Sequence, residues 1–259
     1  LNMDTPNVYA VIPARYESTR FPGKPLTPLL GKPMILWVAE ACSTALGPAN
    51  VIVATDDDRI RATAEKAGYR VEITSSSALT GTDRVAEVAL KLGGHTVLNV
   101  QGDEPMISPA DIKRAAEFHQ KHPEFVINCY VPISARENPE RDTIPKVVIS
   151  QSGRLIYASR SLIPGSKLGS QRKTQAEYFK QVCIYAFSPA QLKTFTSVSN
   201  KTPLEQIEDI EILRFLEQNQ VVHMVRADQA SIAVDTPEDV YLVEAAMKEA
   251  RSSKSNARL

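Results

Sequence analysis

Arg15, Arg20 and Lys24 place three cations within ten residues of one loop, Pro13-Ala14-Arg15-Tyr16-Glu17-Ser18-Thr19-Arg20-Phe21-Pro22-Gly23-Lys24-Pro25-Leu26. Guanidinium and ammonium groups offset polyphosphate charge, and backbone amides near a glycine can approach it closely. Ser18, Thr19 and Gly23 stand among the three cations, so the segment suits the phosphates of a nucleotide. It is neither a G-x-x-x-x-G-K-[ST] loop nor a dinucleotide fingerprint. A solvated basic loop would have the same composition.

Three other segments could complete such a site. Asn99-Val100-Gln101-Gly102-Asp103-Glu104-Pro105 closes an apolar run. A carboxylate there, beside a glycine that lets a ligand come close, suits a magnesium ion bridging phosphates. A turn containing Asp would look similar. Val234-Asp235-Thr236-Pro237-Glu238-Asp239 carries a second carboxylate, although Asp before Thr-Pro-Glu is also a good helix start. Gly81-Thr82-Asp83-Arg84 reads equally as a helix cap with an exposed arginine.

The elements that must position these residues alternate in the first half. Apolar runs at 8–12, 50–54, 70–73 and 95–100 read as buried strands, and 33–42, 59–67 and 83–92 as helices. Strict alternation predicts βαβ units and a parallel sheet, with ligands bound beyond the carboxyl ends of the strands. Later come strands at 125–131, 146–149, 181–187 and 221–226, and a hairpin turned at Gly153. Helices are expected at 202–216 and 236–250, and Gly165–Gln175 reads as a flexible loop. The expected fold is α/β: a Rossmann-like core with a mainly parallel sheet in a single domain, 1–259, and a smaller lobe inserted at about 133–195.

Composition sets the outer limits. The chain has 259 residues, 43% hydrophobic, with 30 Lys plus Arg against 30 Asp plus Glu, so no global charge draws it to nucleic acid or to a membrane surface. No apolar run approaches the ~20 residues of a membrane helix. Leu1–Asn7 lacks the basic and apolar blocks of a leader. Cys42, Cys129 and Cys183 are three widely spaced thiols, read as buried small residues of a reducing compartment. The expected location is cytoplasmic.

The motifs taken in order resemble the 3-deoxy-D-manno-octulosonate (Kdo) cytidylyltransferases. They are PARYESTRFPGKPL, GKPM, ATDD, GTDR, NVQGDEP, KVV, SRSLIP, PLEQIEDIEILR and VDTPEDV, spread over nearly all of residues 8–247. The resemblance implies a cytidylyltransferase of lipopolysaccharide biosynthesis that uses CTP, an acidic 2-keto sugar and Mg2+. It assigns Arg15, Ser18 and Lys24 to the phosphates, where residue types also place Arg20, and Arg84 to the nucleotide side. Asp103 and Asp235 would hold the metal, with Lys24 and Arg15 beside them in catalysis. Gln101, Arg160, Gln181, Tyr185 and Glu208 would surround the sugar. The lobe would help bind sugar and pair two subunits as a homodimer.

One segment departs from that pattern. The family usually has His-Leu-Gly-Ile-Tyr where this chain has Gln181-Val182-Cys183-Ile184-Tyr185. A glutamine can donate a hydrogen bond but cannot become cationic against a carboxylate. Drift among Kdo enzymes would account for this, as would a different acidic substrate (a nonulosonic acid, a Kdo analogue or a phosphonate); a non-catalytic nucleotide-binding regulator is the alternative from another class. No side chain stands out as a general base.

Overall fold

In the first half the chain runs β1 (Val8–Ala14), β2 (Pro28–Leu29), β3 (Lys32–Pro33), α1 (Met34–Leu46), β4 (Val51–Thr55), α2 (Asp58–Lys66), β5 (Arg70–Ile73), α3 (Gly81–Leu92) and β6 (Thr96–Val100). It continues through α4 (Pro109–Lys121), β7 (Val126–Pro132), β8 (Lys146–Ile149), β9 (Leu155–Ser159), β10 (Phe179–Phe187) and α5 (Pro189–Phe195). The last elements are α6 (Pro203–Glu208), α7 (Ile212–Glu217), β11 (Val222–Arg226) and α8 (Pro237–Asn256). This computed structural model describes residues 8–18, 21–134, 137–165, 177–229 and 231–256. Arg20 and nearly all of the expected loop at 165–175 lie outside the described residues.

The main sheet follows the order β11-β7-β10-β6-β1-β4-β5. β1 pairs in parallel with β4 and β6, β4 with β5, and β7 with β11. Alternate residues of β1 enter different cores, as a strand's period of two requires. Ala10, Ile12 and Ala14 pack with Ile35 and Val38 of α1, Ile60 of α2 and Ile112 of α4. Tyr9 and Val11 pack with Val85 of α3, Leu192 of α5 and Phe215 of α7. Helices thus cover both faces, which is why β4 and β6 are buried at every residue.

The structure corrects three expectations. The stretch 133–195 is only partly a lobe, because β10 lies inside the main sheet, antiparallel to β6 and β7. Only β8, β9 and their connections extend off that path. The helix expected at 202–216 is two short helices. Asp209 adopts φ 50°, ψ 47°, a left-handed conformation that Asp tolerates better than most residues, and the helix breaks there. The helices α4 and α5 had not been expected. Each has a buried side, with Ile112, Ala115 and Ala116 in α4 and Leu192 and Phe195 in α5.

Candidate active site

β1, β4 and β6 run parallel, so the loops after Ala14, Thr55 and Val100 emerge on one edge of the sheet. Two glycines let them close together. A Cβ on Gly81 would lie 3.2 Å from Pro13 Cγ, and one on Gly102 would lie 3.4 Å from the Pro13 carbonyl oxygen. Within the first loop, Gly23 has φ 73° and donates its amide to the Tyr16 carbonyl at 2.8 Å. A Cβ there would press the Tyr16 ring at 3.1 Å. Ser18 Oγ accepts the Phe21 amide at 3.4 Å, and Arg15 is exposed. The loop therefore folds back on Tyr16 and delivers Lys24 inward.

Lys24 Nζ donates to Asp103 Oδ2 at 2.8 Å and lies 3.7 Å from Asp235 Oδ1. Two carboxylates 132 positions apart by number are thus bridged by one ammonium. Their backbones are tied as well: the Val234 amide donates to the Asp103 carbonyl at 2.9 Å. Val234 is fully buried with Leu29, Met34, Val243 and Met247, so α8 and the β2–β3 hairpin carry Asp235 to the site. The helix start is capped by Asp239, whose Oδ2 accepts the amides of Asp235 and Thr236 at 2.9 and 2.8 Å. The Asp235 carboxylate faces Lys24 instead.

This pair fits a divalent cation. Asp103 Oδ1 is buried with no hydrogen-bond partner, an acceptor whose capacity is unused. Among the described residues no group of three or more His, Cys, Asp or Glu side chains is arranged for a metal. The protein would supply two carboxylates, leaving the other positions to phosphate and water, as magnesium prefers.

Arg84 is not the exposed arginine its motif allowed. It is 3% exposed, with Nη2 3.2 Å from Asp56 Oδ2 at the end of β4 and Nη1 donating to Thr74 Oγ1. The neighbouring Asp83 accepts from Arg214 Nη1 at 2.8 Å, and Arg214 also clasps Glu205 through Nε and Nη2, both at 2.6 Å. Glu211 accepts the Gly81 and Thr82 amides at 3.1 and 2.9 Å, satisfying free donors at the start of α3. Burial raises the Glu211 carboxyl above the usual range, against the pull of those hydrogen bonds.

On the other side of β6, a bulge in β10 shifts its register between Val182 and Tyr185. Buried Asn128 satisfies the two carbonyls involved, donating to Val182 O at 3.0 Å and Ile184 O at 3.1 Å. The bulge turns Cys183 toward the β6 loop. Its carbonyl accepts the Gln101 amide at 3.2 Å, and its amide donates to Glu104 Oε1 at 3.3 Å. Burial pushes the Glu104 carboxyl up to about 7, with Asp103 adding to the shift. Gln181 Oε1 is buried and without a partner. Tyr185, expected at the sugar, is 3% exposed and belongs to the core beside Phe187. Its ring is therefore a support for this region and not an open wall of it.

Arg160 and Glu208 lie against each other. Glu208 accepts from Ser159 Oγ at 2.7 Å and from the Arg160 amide at 2.8 Å. The Arg160 guanidinium donates to the carbonyls of Glu208, Asp142 and Asp209 at 2.6, 2.9 and 3.0 Å, and the last of these is freed by the break at Asp209. Lys146 of the KVV motif is fully buried and donates to the carbonyls of Arg141 and Arg160, holding the same turn from beneath. Burial lowers its pKa.

The comparison with known proteins decides the family: residues 9–227 match the Cytidylyltransferase family. The chain belongs to the cytidylyltransferase family. It is 38% identical over 245 residues to the 3-deoxy-manno-octulosonate cytidylyltransferase of Protochlamydia amoebophila (strain UWE25), covering 93% of this chain and 94% of that one. It is 40% identical over 247 residues to the 8-amino-3,8-dideoxy-manno-octulosonate cytidylyltransferase of Shewanella sp. (strain W3-18-1), covering 92% and 97%. Its fold superimposes on CMP:2-keto-3-deoxy-manno-octonic acid synthetase complexed with CTP with a TM-score of 0.84 at 35% identity, covering 93% and 98%.

As a cytidylyltransferase the chain is an enzyme with a mixed α/β fold. The basic loop and Asp103 had been singled out from residue types, and Asp235, Arg84, Arg160 and Glu208 from the resemblance. Asn128, Lys146, Glu211 and Arg214 were not identified. The available signal was a polar residue breaking an otherwise apolar run, as Arg214 does in Ile212-Leu213-Arg214-Phe215-Leu216. Among the described residues no helix is long and apolar enough to cross a membrane.

Proposed function

We propose that this cytidylyltransferase transfers CMP from CTP to the anomeric hydroxyl of an acidic 2-keto sugar, Kdo or its 8-amino form, and releases pyrophosphate. The observation that carries the reading is the triad of Lys24, Asp103 and Asp235 at the carboxyl edge of the parallel strands. The sugar hydroxyl attacks the α-phosphorus in line, and the protein's task is to position two anions and offset developing charge. Arg15, Ser18, Arg20 and Lys24 take the phosphates, and Arg84 shapes the nucleotide side with Asp56. Asp103 and Asp235 would hold magnesium, which when bound supplies Lewis-acid stabilisation of the phosphate oxygens.

Gln101, Arg160, Gln181 and Glu208 form the sugar side in this reading. A guanidinium has five N–H donors and Arg160 spends three on carbonyls, so two remain for a sugar carboxylate. The buried, unpartnered Gln181 Oε1 favours a second reading within the same class. It offers a neutral acceptor where the family's histidine would offer a titratable ring, as another acidic substrate (a nonulosonic acid, a Kdo analogue or a phosphonate) could require. A homodimer in the cytoplasm completes the proposal. Exposed Ile156 on β9 supports pairing through the lobe, and light scattering after gel filtration tests it.

Pyrophosphate release with CTP, magnesium and a panel of Kdo, 8-amino-Kdo and other acidic sugars tests the activity, with the CMP-sugar identified by mass spectrometry. Asp103→Asn and Asp235→Asn should each lose roughly 10²–10³ in turnover while folding normally. Near wild-type turnover in either variant removes that carboxylate from the metal site. Release with neutral sugars alone removes the acidic substrate.

A further inference from the structure

Lys24 holds a position that a phosphate-binding lysine need not hold. Its ammonium lies within 2.8 Å of one proposed metal ligand and 3.7 Å of the other, with its side chain only 16% exposed. The backbones bearing the two carboxylates are held together, because the Val234 amide is bonded to the Asp103 carbonyl and Val234 is buried in the core. Gly23 and Tyr16 fix the loop on the other side of the ammonium. An ammonium and a divalent cation compete for the same carboxylate oxygens at this range, and each disfavours the other by direct repulsion.

We propose that Lys24 is a removable counter-ion: its one charge bridges Asp103 and Asp235 before nucleotide arrives, and the triphosphate must draw it away before the carboxylates take the metal. The metal then loads with the nucleotide and not ahead of it. The small donor set agrees, since two carboxylates with one neutralised make a poor cage without phosphate oxygens. The inference rests on the metal reading given above, and its test separates the two.

The probe is Mn2+, with free ion followed by electron paramagnetic resonance. Wild type, Lys24→Met, Asp103→Asn and the double variant are titrated with the metal alone and then with CTP. The expected result is weak binding of Mn2+ alone by wild type and binding at least about tenfold tighter by Lys24→Met, since a positive charge is removed beside the ligands. Asp103→Asn in the Lys24→Met background should abolish that gain. CTP should tighten Mn2+ binding strongly in wild type and much less in Lys24→Met. Equal affinity of wild type and Lys24→Met for Mn2+ alone, with Asp103→Asn still weakening it, overturns the counter-ion role and leaves the metal site standing. Mn2+ binding that ignores Asp103 in every background overturns the metal reading, and the inference with it. Circular dichroism verifies folding, and Lys24→Gln carries the same comparison should Lys24→Met misfold.

Discussion

Arg214→Met tests whether the segment 203–217 organises the nucleotide side. The Arg214 side chain is 0% exposed and makes four charged contacts: Nε and Nη2 to Glu205, each at 2.6 Å, and Nη1 and Nη2 to Asp83 at 2.8 and 3.2 Å. Its guanidinium carbon also sits 3.8 Å from the centroid of the Phe195 ring. Methionine fills most of the volume and removes every donor. Glu205, at 1% exposure, would then be a buried anion without its cation, and Asp83 would keep only its local contacts. Breaking a buried pair from one side costs about 3–5 kcal/mol. At about 2–4 °C per kcal/mol for a chain of this size, Tm should fall by roughly 6–20 °C.

The same logic predicts a partial rescue. Arg214→Met/Glu205→Gln removes the stranded charge, and neutral replacement of a whole buried pair costs far less than breaking it. The double variant should recover about half of the loss, read as the midpoint of urea unfolding followed by circular dichroism. Because Asp83 precedes Arg84 at the start of α3, the single variant should also raise KM for CTP more than KM for the sugar. A loss below about 1 kcal/mol, or a double variant no more stable than the single one, would refute the account of Arg214 as the buried tie between α3, α6 and α7.

Other consequences can be checked by simpler means. Gly23→Ala forces a side chain onto a residue at φ 73° and against the Tyr16 ring, so CTP affinity measured by calorimetry should fall while the sheet's unfolding midpoint shifts little. His119 is fully buried between Thr96 and Gln191, and burial lowers its pKa. Its neutral form is the folded one, so stability is complete above about 6.5 and falls as pH drops below that value, by at most about 1.4 kcal/mol per unit. His119→Gln should flatten this limb of a pH–Tm profile, and an unchanged slope would assign the acid loss to other groups. Gln181→His should shift preference toward Kdo or add an acid-side step near ~6.5 to the pH–rate profile. Matching specificity constants and profiles would mean that the amide serves the same substrate.

The parallel half of the molecule was legible because its signals are local. A strand buried on both faces is a continuous apolar run, and Val51–Thr55 and Thr96–Val100 are buried throughout. Each ends beside a loop bearing charge, so Lys24, Asp56 and Asp103 fall on one edge by topology alone. The second half was harder to read because its partners are distant in sequence. Nothing in residues 179–187 shows that the strand inserts between β6 and β7, since antiparallel and parallel strands share the same apolar pattern. The helix expected at 202–216 failed at one residue, Asp209, whose left-handed backbone is stabilised by contacts from Lys201 and Arg160. Tyr185 was carried to the sugar by motif, and its burial depends on packing that a motif does not encode.

In the proposed function, the insertion of β10 divides the site between phosphates and sugar. Parallel strands alone would present one edge of loops, suited in that reading to phosphates and a metal. An antiparallel strand beside β6 brings its own side chains past that edge, and the bulge at Val182–Tyr185 turns Cys183 onto the Gln101 amide and the Glu104 carboxylate. Gln181 thereby stands next to the end of β6 with a free acceptor, on the side away from β1. Asn128 braces this arrangement, since its amide bonds both carbonyls at the bulge, and losing a hydrogen bond to a buried group costs about 1–3 kcal/mol. The proposed sugar side of the site therefore rests on one buried β7 side chain. Substrate preference in this chain should respond to changes at Asn128 as well as at Gln181.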